Sequence, residues 1–394
     1  MDYTDYINRE IKCDCGRLHR SNIKEIIIKD NAIRELASII EKNSYKSIYI
    51  AADENTWKAG GKLTLKSIEQ AARGTDKRRE IKITKHIFKD EKLIADEASI
   101  AKLLVHAPSE GDLVIGIGTG TINDLCKLIS KRLKIDYAIV VTAPSMDGFA
   151  TGISILALNH VKMLIDTKQP DYIICDLRIM CKAPKHMIGA GVAVILGNYV
   201  TLTDWSIAEL SNNEAYCCEV EKLIRKSIGM AEEIIKLHIE DETSDFLQDK
   251  RNIKTFMESL IASGISKNYI YELYSVPERI HCLSMYWEMM FMNGEKQTIP
   301  YGTSIAVGTV RLIKLYEKVK KRLAIHEENW DEAVSIISTL PQTDYIKALF
   351  KTIDMPYKLK DIGISKENLK AGIKYADYLG YKYGLFYMPA DLKI

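Results

Sequence analysis

An α/β domain built on a parallel sheet, followed by an all-helical domain, is the fold class that this sequence of 394 residues predicts. Three observations lead there. The first half alternates short apolar runs with amphipathic stretches, the pattern of strands joined by crossover helices. One run, "LVIGIGTGTIND" (113–124), passes from strand pattern into closely spaced glycines and then into a helical stretch. Beyond residue 180 the periodicity becomes that of long helices, with few Gly or Pro inside them.

Taken in order, "IKEIIIKD" (23–30), "SIYIAAD" (47–53), "EIKITKHIF" (80–88), "DLVIGIG" (112–118) and "YAIVVTAP" (137–144) each read as a strand. "TLKSIEQAARG" and "ADEASIAKLLVHA" read as helices between them. Near-continuous apolar strands imply a sheet covered on both faces. Helices are expected over 215–238, 252–264, 281–293, 303–324 and 366–380. The domains are expected at 1–170, a Rossmann-like dinucleotide-binding unit, and 171–394, a helical substrate domain, with the active-site cleft between them.

Basic residues number 55 against 53 acidic, so no strong field draws the chain to nucleic acid or anionic lipid. The start, "MDYTDYINREIKCDCG", lacks the layout of a secretory signal, and no apolar run reads as a bilayer span. Eight cysteines over so long a chain suit reduced thiols, and a cytoplasmic location is expected. "CDCGRLH" offers Cys13, Cys15 and His19 at metal-knuckle spacing, but no matching Cys/His pair follows. The stretch therefore reads as a turn leading into the strand at 23–30.

Gly116, Gly118 and Gly120 lie between a strand and a helix whose first turn carries Thr121, Asn123 and Asp124. Glycine lets backbone N–H groups approach a pyrophosphate, and a helix start adds unpaired donors and partial positive charge. A tight strand–helix turn explains the same glycines, and Asp124 could cap that turn. "SIYIAAD" ends at Asp53, followed by Asn55. A carboxylate at a strand's carboxyl end can accept from ribose hydroxyls and would repel a 2′-phosphate, favouring NAD over NADP. The alternative is that Asp53 or Asn55 caps the next helix. A third strand end delivers Thr142, Ser145 and Asp147 to the same edge.

Together "CDCGRLH", "AADENTW" (51–57), "GTGTIND" (118–124), "TAPSMDGFA" (142–150), "LTDW" (202–205), "YWEM" (286–289) and "GTSIAVGT" (302–309) resemble the sn-glycerol-1-phosphate dehydrogenases, bacterial branch. That family sits within the larger group of iron-type alcohol dehydrogenases, glycerol dehydrogenase and dehydroquinate synthase. The resemblance implies a dehydroquinate synthase-like fold and hydride transfer between a nicotinamide cofactor and dihydroxyacetone phosphate, aided by Zn²⁺ or Ni²⁺. It places Asp53, Gly118, Thr119, Gly120, Thr121, Asn123, Asp124, Thr142 and Ser145 at cofactor-binding positions, with Thr151 where the family has a serine. Asp147 falls at a substrate position. A homodimer is implied as well.

The family's three metal ligands, one Asp and two His, fall here at Val194, His281 and Tyr301, so only His281 is retained. A substrate-contacting histidine becomes Met285, and a lysine becomes Asn198. A lone imidazole does not hold Zn²⁺ or Ni²⁺ against competing sites. Glu278 and His186 are the nearby groups that could rebuild one. Three readings follow, the third being the ordinary metal-dependent family enzyme with one or two ligands at positions other than those assigned above. In the first, the chain is an NAD(P)-dependent reductase of a small ketone with an altered, metal-free site, Tyr301 donating a proton and His281 assisting. In the second, it is a non-catalytic NAD(H)-binding homologue with a regulatory or partner role.

Overall fold

The computed structural model describes residues 3–7, 9–16, 18–73, 80–90, 92–212, 216–239, 245–273, 278–293, 299–326 and 331–382. By packing, the described residues fall into two units. The first lies within 1–11, 18–188 and 245–268, the second within 12–17, 189–244 and 269–394. The sequence reading set the join at residue 170. Packing carries the first unit on to Ile188 and adds Asp245–Asn268 to it.

The first unit opens with a two-stranded sheet, β1 (Arg9–Lys12) and β2 (Leu18–Ser21). Its main sheet is built from β3 (Glu25–Lys29), β4 (Ser47–Asp53), β5 (Lys82–Phe88), β6 (Leu113–Gly118), β7 (Asp136–Val141) and, after the hairpin β8 (Ile153–Leu158) and β9 (Val161–Asp166), β10 (Tyr172–Asp176). The six strands run in the order β3-β10-β7-β6-β4-β5, and every neighbouring pair is parallel. Helices α1 (Glu35–Asn43), α2 (Glu54–Thr56), α3 (Lys62–Arg73), α4 (Glu97–His106), α5 (Gly120–Leu133) and α6 (Leu177–Met180) connect them. β6 and β10 are buried at every position, as expected of strands covered on both faces. β3 and β5 are the edge strands, and β5 carries Lys82 and Lys85; such edge lysines discourage pairing with another chain.

Strand order fixes where a ligand belongs. After β4 the chain moves outward to β5, and after β6 it moves the other way to β7. Between β4 and β6 the helices leave in opposite directions, which opens a crevice at the carboxyl ends of the strands. Ala52 pairs with Ile117, so the ends Asp53 and Gly118 flank this switch point side by side.

The sequence reading did not anticipate the β8–β9 hairpin. Its two-residue loop is Asn159–His160, both with positive φ (50° and 61°), the conformation that joins tightly twisted antiparallel strands. Without a glycine in that loop, the usual hairpin signal was missing.

The long helices are α7 (Lys185–Asn212), α8 (Cys218–Lys236), α9 (Lys250–Leu273), α10 (Arg279–Asn293), α11 (Tyr301–His326), α12 (Asp331–Ser338), α13 (Thr343–Thr352) and α14 (Lys366–Lys382). α7 corrects the expectation that no stretch suits a bilayer: Lys185–Leu210 is long and apolar enough, but 83% of its most apolar window is buried inside the protein. It is apolar all round because protein surrounds it. α7 and α11 touch backbone to backbone, since a Cβ on Gly302 would lie 2.4 Å from the Ala190 carbonyl oxygen.

A Cβ on Gly118 would fall 2.8 Å from the Cβ of Ile122 on α5. Gly118→Ala is therefore expected to lower the urea midpoint by about 1–3 kcal/mol of stability with no change in the denaturant slope.

Candidate active site

At the switch point the first unit presents three strand ends. Asp53 caps α2: its Oδ1 accepts from the backbone N–H groups of Asn55 and Thr56, both at 2.9 Å, and the Thr56 hydroxyl returns to the Asp53 N–H. The capping alternative is thus realised, using one carboxylate oxygen. Asn55 is exposed, its N–H serving the cap. Beside it, α5 begins at Gly120 with no side-chain cap from Thr119, and Thr119, Gly120 and Thr121 are half-buried. The first N–H groups of that helix have no partner within it. Gly116 answers to packing, since a Cβ there would meet the Tyr137 hydroxyl at 3.0 Å and the Cys126 sulfur at 3.1 Å. Of the three glycines, Gly120 sits where a phosphate would approach, with only the flexible Met146 side chain 3.2 Å from its Cβ position.

Further along α5 the predicted residues turn inward. Asn123 gives its amide N–H to the Gly148 carbonyl (3.0 Å) and receives the Tyr137 hydroxyl (3.0 Å). Asp124 pairs with Lys127 at 3.1 Å. Lys127, which the sequence reading did not single out, is fully buried and donates to the Gly148 carbonyl, the Thr151 hydroxyl and the Ile153 carbonyl. Burial pushes the Lys127 ammonium below and the Asp124 carboxyl above their ordinary values, while the attraction between them works against both shifts. Asn123, Asp124 and Thr151 thereby hold the 147–152 turn in place. Thr142 is buried, its N–H bonded to the Gly118 carbonyl, and Ser145 is half-buried beside it.

Asp147 is nearly inaccessible and already engaged. Its Oδ2 takes the Ser263 hydroxyl at 2.7 Å and the Lys267 ammonium at 2.9 Å, both from α9. Lys267 was also missed, because nothing local in "LIASGISKN" distinguishes a buried lysine from an exposed one.

In the second unit the start of α10 is the organising point. Asp204 on α7 accepts from the Arg279 backbone N–H (3.2 Å) and guanidinium (3.1 Å). Asp377 and the Tyr316 hydroxyl complete the partners of that buried cation. This anchorage sets Glu278 and His281 one turn apart. Glu278 Oε2 lies 2.6 Å from His281 Nε2 and receives the Thr201 hydroxyl at 2.7 Å. On the other side, His281 Nδ1 is hydrogen-bonded to the Tyr301 hydroxyl at the start of α11. The result is a continuous chain, Thr201–Glu278–His281–Tyr301. A carboxylate on one imidazole nitrogen holds the ring in place, and the other nitrogen faces a phenol. Such a chain can carry a proton to and from the tyrosine oxygen.

These residues do not fit the divalent metal expected of the resemblance. Val194 is a buried aliphatic on α7, Met285 is buried on α10, and His186 is exposed. Glu278 spends its oxygen on His281 and Thr201. Among the described residues, one His/Cys/Asp/Glu group has metal-ligand geometry, and it contains none of them. Asn198, at the former lysine position, is wholly buried on α7.

Lys127→Met should strip Asp124 of its counter-ion and remove one of the donors to the Gly148 and Ile153 carbonyls and the Thr151 hydroxyl. The expected cost is about 3 kcal/mol, read from the denaturant midpoint, with partial recovery when Asp124→Asn is added.

Residues 27–184 match the family model for iron-containing alcohol dehydrogenase. The glycerol-1-phosphate dehydrogenase [NAD(P)+] of Geobacillus thermodenitrificans is 27% identical over 377 residues, covering 91% of this chain and 90% of that protein. Among solved structures, NADH-dependent butanol dehydrogenase A from Thermotoga maritima superposes with TM-score 0.67 at 13% identity, over 91% of this chain and 90% of that one. A probable glycerol dehydrogenase from Sinorhizobium meliloti gives 0.64 at 16%, over 91% and 89%. At such identities the structures speak for the fold. The family match runs from the first strand of the parallel sheet past its last, and similarity to the bacterial relatives extends over most of the remaining chain.

Proposed function

We propose that this chain is an NAD(P)-dependent oxidoreductase of the glycerol-1-phosphate dehydrogenase type that reduces a small ketone, such as dihydroxyacetone phosphate, without the family's catalytic metal. The carrying observation is the Glu278–His281–Tyr301 chain, two members of which, His281 and Tyr301, stand at expected metal-ligand positions. The names of the bacterial relatives support the cofactor and the substrate class.

Bound reduced nicotinamide supplies the hydride. The open start of α5 suits a pyrophosphate, and the Asp53 oxygen outside the cap suits a ribose hydroxyl, which favours NAD. As the ketone is reduced its oxygen gains charge, and Tyr301 gives that oxygen a proton. His281 replaces the proton through Nδ1, and Glu278 stabilises the imidazolium that serves as the reservoir. A metal would polarise the carbonyl by charge; the tyrosine does so by proton donation, as general acids do. The same reading takes the protein to be cytoplasmic and homodimeric.

The test is oxidation of NADH by purified protein against dihydroxyacetone phosphate and a panel of small ketones, with and without EDTA. Turnover should survive the chelator, and Tyr301→Phe should lower kcat by roughly 10²–10⁴-fold while NADH binding persists. Glu278→Gln should reduce kcat more than it alters KM. Tight NADH binding with no turnover on any ketone would instead favour the non-catalytic reading, to which the Asp147–Lys267 pair lends weight by occupying a substrate-position carboxylate.

A further inference from the structure

The knuckle-like stretch at the start of the chain lacked a fourth ligand in sequence, and the structure supplies one. Cys217, the residue immediately before α8, lies with its sulfur 3.4 Å from that of Cys13, which is 204 positions away in the chain. The ligand atoms of Cys13, Cys15, His19 and Cys217 all lie within 4.8 Å of one another. Cys217 and His19 are buried, and Cys13 and Cys15 are half-buried.

The backbone is built to converge these groups. Gly16 donates its N–H to the Cys13 carbonyl (3.0 Å) and has φ +78°, a left-handed conformation that glycine adopts without strain. No atom lies within 4 Å of where its Cβ would be, so the turn alone demands the glycine. That turn brings Cys13 and Cys15 to one side, and His19 follows on β2.

We propose that Cys13, Cys15, His19 and Cys217 hold one structural Zn²⁺ in a closed Cys₃His site. Three thiolates and an imidazole select a soft or borderline cation and exclude Mg²⁺ and Ca²⁺, which take oxygen ligands. Zn–S bonds of about 2.3 Å in a tetrahedron set sulfurs roughly 3.8 Å apart, within the spread seen here. Four protein ligands leave no open position, so the ion binds no substrate. Its work is to pin the 13–16 turn to the start of α8. The site is separate from Val194, His281 and Tyr301, so zinc found in this protein is not by itself the family's catalytic metal.

The experiment uses the full chain without a histidine tag, purified from zinc-supplemented cells. Elemental analysis should give about one zinc per chain. Growth with cobalt should give thiolate-to-Co²⁺ charge transfer and intense tetrahedral d–d bands. Cys217→Ser should lose the metal and lower the melting temperature, whereas Cys218→Ser, changing the exposed neighbour, and His281→Ala should keep it. If Cys217→Ser does not fold, release of zinc from the native chain by a mercurial, in step with titration of three thiols, gives the same answer. The proposal is overturned if the native chain takes up no zinc, if it carries a Cys13–Cys217 disulfide, if iron replaces zinc, or if His281→Ala loses the metal while Cys217→Ser retains it. That last result would also sink the metal-free mechanism; failure of catalysis alone would leave the zinc site standing.

Discussion

A charge taken out of water must find its opposite, and this constraint organises both units. Lys127, Lys267 and Arg279 are each almost wholly buried, and each meets a carboxylate: Asp124, Asp147 and Asp204. Each pair sits where a candidate functional element begins. Lys127 secures the turn after β7, Lys267 fixes Asp147 on that turn, and Arg279 anchors the first turn of α10. Buried pairs add little net stability over apolar packing, yet breaking one leaves an uncompensated charge costing several kcal/mol. They therefore serve geometry more than net stability, each fixing the turn that carries it.

Within the second unit the consequence is chemical. With α10 pinned through Arg279, the carboxylate one residue earlier and the imidazole two residues later have little freedom. Thr201 occupies one lone pair of Glu278, which turns the carboxylate toward His281. Where the resemblance implies a cation, the chain has a buried valine on α7 and a phenol on α11, and the surviving histidine has become the middle of a hydrogen-bonded series.

The ligand group with metal geometry and the Glu278–His281–Tyr301 series share no residue. The ligand set with suitable geometry is sulfur-rich and closed, and it stands at the 13–16 turn and the start of α8. The strand ends at the switch point depend on neither: their form follows from parallel topology and from the fit of α5 against β6 at Gly118 and Ile122.

Local pattern in the sequence determined five of the six parallel strands, most of the long helices and the strand-end polar residues, whereas β10 went unread and the positions Val194, His281 and Tyr301 were singled out through the family resemblance. Apolar runs and helical periodicity are local properties, so they could be read directly. Asp53 was legible as a strand-end acid, but whether it capped a helix required the backbone. Asn123, Asp124 and Asp147 were legible as polar groups near a crevice; only packing showed their side chains turned to Gly148, Lys127 and Lys267. The hairpin escaped because its loop lacks glycine, and the fourth ligand, Cys217, because it lies 204 positions from Cys13. Tertiary structure alone decided these matters, because a partner distant in the chain leaves no periodic trace in the residues that await it.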